Sequence, residues 1–256
     1  MHEQIGIIGL GHPAGFLVEG LRKTAPDLRI LLTDRDPERA EELGSRWGAH
    51  PLRDSQVLAD ASDLIILAMP PEDLVPACEA VVFRPDQVVA SVAANVPLAR
   101  IAAAVAPASA VRVMPISSTV LIAGPTLLYP FHPDVYALFS RLGRVHPMPD
   151  EASFISASVV AALHGWISTL VADTVAWTTR AGVPCATARS LVLETVRSAL
   201  DTALAQPDRQ VANLLHESAA SGGIPEQGPG VLREPRDLAT WTETLDVVLE
   251  SMRRPP

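Results

Sequence analysis

Short apolar runs alternate with longer amphipathic stretches along the first 149 residues of the chain. This alternation is typical of a parallel β-sheet whose strands are connected by helices. The predicted strands are Ile5–Ile8, Arg29–Thr33, Leu64–Ala68, Val88–Val92, Ala110–Val113 and Thr126–Tyr129. The predicted helices between them are Gly15–Thr24, Pro37–Trp47, Pro71–Val82 and Leu98–Val105.

The alternation stops near residue 150, and the remaining sequence favours helix throughout. The predicted helices of this half are Glu151–Ala181, Ala186–Ala205, Asp208–Ala219 and Pro235–Met252. Proline in the first turn suits the start of the last one. The sequence therefore predicts an α/β fold with two domains, residues 1–149 around a parallel sheet and residues 150–256 entirely helical.

A glycine-rich turn follows the first predicted strand and has the form G-x-G-x-x-A. In such a turn the first glycine allows a tight bend, the second lets the backbone approach a pyrophosphate, and the small last residue lets helix and strand pack closely. The free N–H groups of the following helix suit phosphate oxygens. The pattern predicts a Rossmann-type dinucleotide-binding domain. The predicted pyrophosphate-binding residues are Gly9, Leu10, Gly11, His12, Pro13 and Ala14.

Two features leave the details of this nucleotide site open. Pro13 has no N–H, so one potential phosphate donor is missing, although proline is well tolerated in a first helical turn. Asp34 ends the second predicted strand about 20 residues after the motif, where an acid holds the ribose hydroxyls of NAD. Arg35 beside it would instead pair with the 2′-phosphate of NADP. The simpler interpretation of Asp34 and Arg35 is that they belong to a solvated turn before a capped helix.

Loops that follow the other predicted strands complete the expected cofactor site. In parallel sheets, the loops at the carboxyl ends of the strands line the ligand crevice. We expect these residues to contact the cofactor through backbone and apolar atoms, and they are Ala68, Met69, Pro70 and Ala93.

Composition excludes several other classes of function. The formal net charge of −9 and the absence of a basic stripe argue against a nucleic-acid partner. Neither the histidines nor the two cysteines have metal-ligand spacing, so no metal is expected. Residues 152–172 carry no charged side chain, and we expect a fully buried helix of a large core rather than a membrane span. No signal peptide pattern opens the sequence, which favours a cytoplasmic protein.

Two segments in the middle of the chain resemble motifs of the pyrroline-5-carboxylate reductases. Ser91–Asn95 is similar to the S-x-A-A-G motif of that family, and Val111–Pro115 matches the start of its V-R-x-M-P-N-T-P segment. Ala220–Pro225 partly matches the late S-P-G-G-x-T loop. The resemblance extends in order over nearly the whole chain.

This resemblance implies an NAD(P)H-dependent reductase that transfers hydride to a small cyclic imine, with NADPH slightly favoured. It also implies a homodimer formed through the helical domain, with sites shared between subunits. The positions that match the family's substrate region are Ser117, Ser118, Trp166, Gly222 and Gly223. His164 lies in the same region and is the best candidate proton donor, because an imidazole can donate near neutral pH. The competing interpretation is a buried histidine that a neighbouring helix satisfies.

The departures from the family pattern concern the substrate. Asn95 replaces the final glycine of the first motif, Ile116 replaces an asparagine, Pro70 replaces a lysine and Pro225 replaces a threonine. Proline and isoleucine donate no side-chain hydrogen bonds, so a related imine is favoured over pyrroline-5-carboxylate itself.

Two alternatives remain open. A hydroxyacid-type C=O dehydrogenase would need a lysine in the long helix, whereas Lys23 is the only lysine of the chain. A catalytically silent NAD(P)-binding homodimer is consistent with the absence of the side-chain hydrogen-bond donors that the family motifs carry at these positions.

Overall fold

The structure is a computed structural model that describes residues 4–116, 124–211 and 235–253. The chain divides into two compact units, one formed by residues 1–161 together with 249–256 and the other by residues 162–248. The functional boundary expected between residues 149 and 150 stays a prediction.

Eight strands of the described chain form one sheet in the order β3-β2-β1-β4-β5-β6-β7-β8. All six predicted strands are present, and β3 and β8 are additional. The strands are β1 (Gln4–Ile8), β2 (Arg29–Thr33), β3 (His50–Pro51), β4 (Leu64–Leu67), β5 (Val88–Ser91), β6 (Ser109–Pro115), β7 (Thr126–Tyr129) and β8 (Val145–Pro147).

The expectation of a wholly parallel sheet is wrong at one place, because β7 runs antiparallel to β6. Only residues 116–125 separate these strands. A crossover to a parallel neighbour takes about a dozen residues or more, so the chain turns back instead. The sheet is therefore mixed, with a parallel part from β3 to β6.

The helices follow the predicted ones closely in the first half of the chain. The prediction missed α3 and α6, and the predicted helix 151–181 is interrupted at residues 159–160. Residues 208–210 of another predicted helix are not helical, and 212–219 lie outside the described residues. The described helices are α1 (His12–Thr24), α2 (Pro37–Trp47), α3 (Ser55–Asp60), α4 (Pro71–Glu79), α5 (Leu98–Val105), α6 (Pro133–Phe139), α7 (Glu151–Ser158), α8 (Ala161–Arg180), α9 (Cys185–Leu204) and α10 (Pro235–Arg253).

The two faces of the sheet are buried in two separate apolar clusters. Ile5 and Ile7 of β1 pack with α1 on one face, whereas Ile8 packs with α3 and α4 on the other. Successive side chains of a strand point to opposite faces, so helices must cover both. This arrangement leaves the carboxyl ends of the parallel strands as the open edge where α/β proteins bind ligands.

The long uncharged helix is not the fully buried core helix that the sequence predicts. None of the residues of α8 is buried, and Leu170 and Trp177 are 56% and 63% exposed. By length and composition alone, Glu151–Arg180 is apolar enough to cross a membrane. The expectation is wrong because an uncharged apolar run does not by itself tell whether the helix is covered within one chain.

Candidate dinucleotide-binding site

The glycine turn lies against the ends of β2 and β4. The Gly9 N–H donates to the Thr33 carbonyl at 2.8 Å, and the Gly11 N–H donates to the Ala68 carbonyl at 2.8 Å. Gly9 has a φ of 82°, which favours glycine. A Cβ on Gly11 would lie 2.6 Å from the Ala68 carbonyl oxygen. The tight bend that the motif predicts at Gly9 is therefore present, and Gly11 brings the turn against the end of β4. The approach of the Gly11 backbone to a pyrophosphate stays a prediction.

Helix α1 begins directly after this turn, with Gly11 as its N-cap. The first turn of the helix contains Pro13 and no acidic side chain, so the helix supplies no carboxylate of its own to its positive end. Ala14 is completely buried, as the close packing of helix and strand requires. These features suit an anion at the start of α1.

Asp34 connects the glycine turn to the end of β2. Its Oδ2 accepts a hydrogen bond of 2.7 Å from the Leu10 N–H, and its Oδ1 accepts one of 3.0 Å from the Asp36 N–H. The sequence placed Asp34 in the site but did not predict these bonds, because they depend on the folded path of the turn. The carboxylate therefore holds the turn in shape in addition to facing the site.

A crevice of about 490 Å³ opens beside the turn. Its apolar wall comes from the ends of β1 and β4 and from α4, and its rim carries three guanidinium groups. Arg35 Nη1 lies 3.2 Å from Asp73 Oδ1, and Arg53 Nη2 lies 2.9 Å from Glu41 Oε1. The residues that line the crevice are Ile8, Gly9, Leu10, Gly11, Asp34, Arg35, Pro37, Arg39, Arg53, Ser55, Met69, Pro70, Asp73, Pro76, Ala77 and Ala80.

The loops after β4 and β5 contribute unequally to this crevice. Met69 and Pro70 line it, whereas Ala93 does not. Ala93 is buried, and its N–H donates to the Ser91 hydroxyl at 3.3 Å. Sequence reasoning missed Arg39, Arg53 and the lining residues of α4, because only the fold brings them beside the glycine turn.

Asn95 occupies a turn after β5 with a φ of 60°. Asparagine tolerates this left-handed conformation better than other residues with a side chain. Asparagine at this position is therefore compatible with the left-handed turn that the structure shows.

The predicted substrate residues are only partly described. His164 on α8 is exposed, so the buried-histidine interpretation is wrong for the single chain, and Trp166 is half-buried. Ser117, Ser118, Gly222 and Gly223 lie outside the described residues. Within the described part of the chain, no group of three or more histidine, cysteine or acidic side chains could hold a metal ion.

The sheet order and the glycine turn define a protein of the Rossmann-type dinucleotide-binding class. The family model described as "NADP oxidoreductase coenzyme F420-dependent" matches residues 4–95. A pyrroline-5-carboxylate reductase of Pseudomonas aeruginosa is 29% identical over 131 residues, about half of either chain (49% of this one and 48% of the relative). Pyrroline-5-carboxylate reductase 2 of Bacillus subtilis is 27% identical over 91% of this chain and 88% of its own.

Solved structures show the same fold over the full chain. A Streptococcus pyogenes 1-pyrroline-5-carboxylate reductase aligns with a TM-score of 0.86 at 22% identity, covering 98% of both chains. A Plasmodium falciparum pyrroline carboxylate reductase with NADP bound aligns with a TM-score of 0.83 at 15% identity, covering 99% of this chain and 98% of its own. In sequence and in fold, the chain is therefore similar to pyrroline-5-carboxylate reductases.

Proposed function

We propose that the chain is an NAD(P)H-dependent oxidoreductase that reduces the C=N bond of a small cyclic imine. The observation that carries this proposal is the glycine turn, which sits so close to β4 that a Cβ on Gly11 would meet the Ala68 carbonyl oxygen. Such a turn leaves room for a pyrophosphate beside the start of α1. The curated relatives, which are named as pyrroline-5-carboxylate reductases, support the same reaction class.

The described residues fit a dinucleotide in this crevice. Backbone atoms of residues 9–14 would hold the pyrophosphate, and the apolar wall of Met69, Pro76 and Ala77 would pack against the adenine. The nicotinamide, when bound, supplies the hydride. Residues of the chain have to bind the cofactor, exclude water and provide a proton.

Two observations favour NADPH over NADH. Both carboxylate oxygens of Asp34 already accept backbone hydrogen bonds, so this group is less available to the ribose hydroxyls of NAD. Arg35, Arg39 and Arg53 line the same crevice, and a guanidinium pairs well with a phosphate. We therefore propose NADPH as the cofactor, whereas the sequence left the choice between NAD and NADP open.

At the substrate end of the site, the chain has a candidate proton donor but lacks some of the hydrogen-bond donors of the family motifs. An imine accepts hydride more readily as an iminium ion, and His164 is proposed to supply that proton. Trp166, Ser117, Ser118, Gly222 and Gly223 are proposed to surround the substrate. Pro70 and Ile116 donate no side-chain hydrogen bond, which favours a neutral cyclic imine over pyrroline-5-carboxylate itself.

The working form is proposed to be a cytoplasmic homodimer. Several large apolar side chains on α8 and α9 are exposed in the single chain, and a second copy would cover them. In the single chain they are Leu163 38%, Leu170 56%, Trp177 63%, Leu191 52%, Leu193 42%, Leu200 51% and Leu204 77% exposed.

The test is reduced-nicotinamide fluorescence followed by turnover. We expect NADPH fluorescence to shift on titration with the purified protein, and NADPH to be oxidised with 1-pyrroline or a six-membered cyclic imine faster than with pyrroline-5-carboxylate. The His164→Gln variant should keep its NADPH affinity while kcat falls by about a hundredfold. Absence of any fluorescence change would refute the proposal, and nucleotide binding without turnover of any imine or 2-oxoacid would leave a silent nucleotide-binding homodimer.

A further inference from the structure

An ion pair spans the crevice between the end of β2 and the first turn of α4. Arg35 Nη1 and Asp73 Oδ1 are 3.2 Å apart, with side chains 82% and 32% exposed. Both residues line the crevice, together with Arg39 and Arg53. Arg35, the arginine next to Asp34 in the sequence, is therefore already paired with a carboxylate of the chain.

We infer that Asp73 lowers the preference for NADPH by competing for Arg35, which weakens the binding of a nucleotide with a 2′-phosphate relative to one with a free 2′-hydroxyl. This inference rests on the proposed NAD(P)-binding function of the crevice. Asp73 belongs to none of the motifs that indicate a nucleotide site, and only the fold brings it to the rim.

The electrostatics give the direction of the effect. A 2′-phosphate that approaches Arg35 must displace the Asp73 carboxylate from it, and the displaced carboxylate remains on the crevice wall as a like charge. An exposed ion pair contributes little, so the exchange is feasible and its cost is small. A free 2′-hydroxyl needs no such exchange, so NADH should be insensitive to Asp73.

The second paired arginine does not share this arrangement. Arg53 is paired with Glu41 of α2 at 2.9 Å, and Glu41 does not line the crevice. A phosphate recruited by Arg53 would therefore leave its former partner outside the binding site. Among the carboxylates that line the crevice, Asp34 is bonded to backbone amides and Asp73 to a guanidinium.

Asp73 also has a structural role, and a test has to separate this role from its effect on Arg35. It lies with Glu72 in the first turn of α4, where acidic side chains stabilise a helix. Glu72 is exposed and does not line the crevice. Glu72→Gln therefore removes the same charge from the same helical turn without touching Arg35, which makes it the matched control.

The experiment compares the dissociation constants of NADPH and NADH, measured by fluorescence titration at low salt on the full chain. For Asp73→Asn we expect NADPH to bind about two- to fivefold more tightly and NADH to bind as before. Glu72→Gln should change neither constant. The gain for Asp73→Asn should shrink at high salt, because exposed charges are screened.

An Arg35→Gln background shows whether the effect passes through the ion pair. There the gain from Asp73→Asn should fall to less than half of its value in the natural chain. An unchanged NADPH-to-NADH ratio in Asp73→Asn, an equal effect of Glu72→Gln, or a gain of full size in the Arg35→Gln background would each overturn the inference while leaving nucleotide binding intact. Binding of neither nucleotide by the natural chain would overturn the proposed function as well.

Discussion

Gly11 shows at the scale of one residue how the turn is brought against the sheet. Its N–H bonds the Ala68 carbonyl, and the space that a side chain would need is filled by that same oxygen. Its φ of −62° is ordinary, so glycine is needed here for space and not for backbone conformation. Gly48, at the end of α2, is the opposite case, because its φ is 63° and no atom lies within 4 Å of the place that a Cβ would take.

We predict that Gly11→Ala destabilises the fold by about 1–3 kcal/mol and weakens NADPH binding by at least about tenfold, because the turn must move away from β4. Urea denaturation and fluorescence titration measure the two effects. Gly48→Ala is the control, since it strains the backbone without altering the turn and should leave NADPH affinity unchanged. Equal losses of affinity in both variants would contradict the assignment of the turn.

The sequence predicted the residues that belong to a recognisable motif. It missed the residues whose role depends on contacts with distant parts of the chain. Gly9, Gly11 and Ala14 recur at a fixed spacing in dinucleotide-binding turns, so the motif reveals them. The hydrogen bonds of Asp34 and the position of Asp73 depend on contacts between distant segments. The positive φ of Asn95 was likewise not predicted, although its glycine counterpart in the family motif was a signal for it.

At the scale of elements, one carboxylate joins β6, α5 and α7. Glu151 Oε1 accepts a 2.7 Å bond from Arg112 Nη1 and a 2.6 Å bond from the Leu98 N–H at the start of α5. Arg112 is buried, and its guanidinium carbon lies 4.6 Å from the centre of the Phe154 ring. Of the two roles that an arginine on an internal strand allows, anion binding or a structural ion pair, the structure favours the second.

We predict that Glu151→Ala lowers the free energy of unfolding by about 2–4 kcal/mol, because it leaves a buried guanidinium without its partner. The double variant Arg112→Met/Glu151→Gln should lose less free energy of unfolding than Arg112→Met and Glu151→Gln lose in sum, since it removes both charges together. Urea denaturation monitored by circular dichroism tests both statements. Additive losses would show that the pair is not coupled.

The long elements were predictable, and the short ones were not. β4 is a continuous apolar run, and β1, β2 and β5 each contain a short one, which is the pattern of strands buried on both faces. β3 has two residues and β8 has three, so neither shows a periodicity. The start of α6 does carry a usable signal, namely Pro133 and Asp134 in the first turn.

At the scale of the whole molecule, the apolar side chains of α8 are the feature that one chain does not explain. We predict a dimer in sedimentation equilibrium at micromolar concentration. Leu170→Glu should weaken the dimer by at least about tenfold, because it places a charge on this surface. Val82→Glu is the control, since Val82 is 77% exposed in the other compact unit. A monomeric natural chain, or equal effects of both variants, would contradict the prediction.

The crevice has a further consequence for how such a chain can diverge. All of its lining residues fall between Ile8 and Ala80, whereas the candidate substrate residues other than Pro70 lie between Ile116 and Gly223. Most mutations that change the substrate therefore fall in a different stretch of the gene from those that alter nucleotide recognition. Selection for a new substrate can proceed while the supply of reducing equivalents stays the same, and a recombination event between the two stretches would transfer one property without the other.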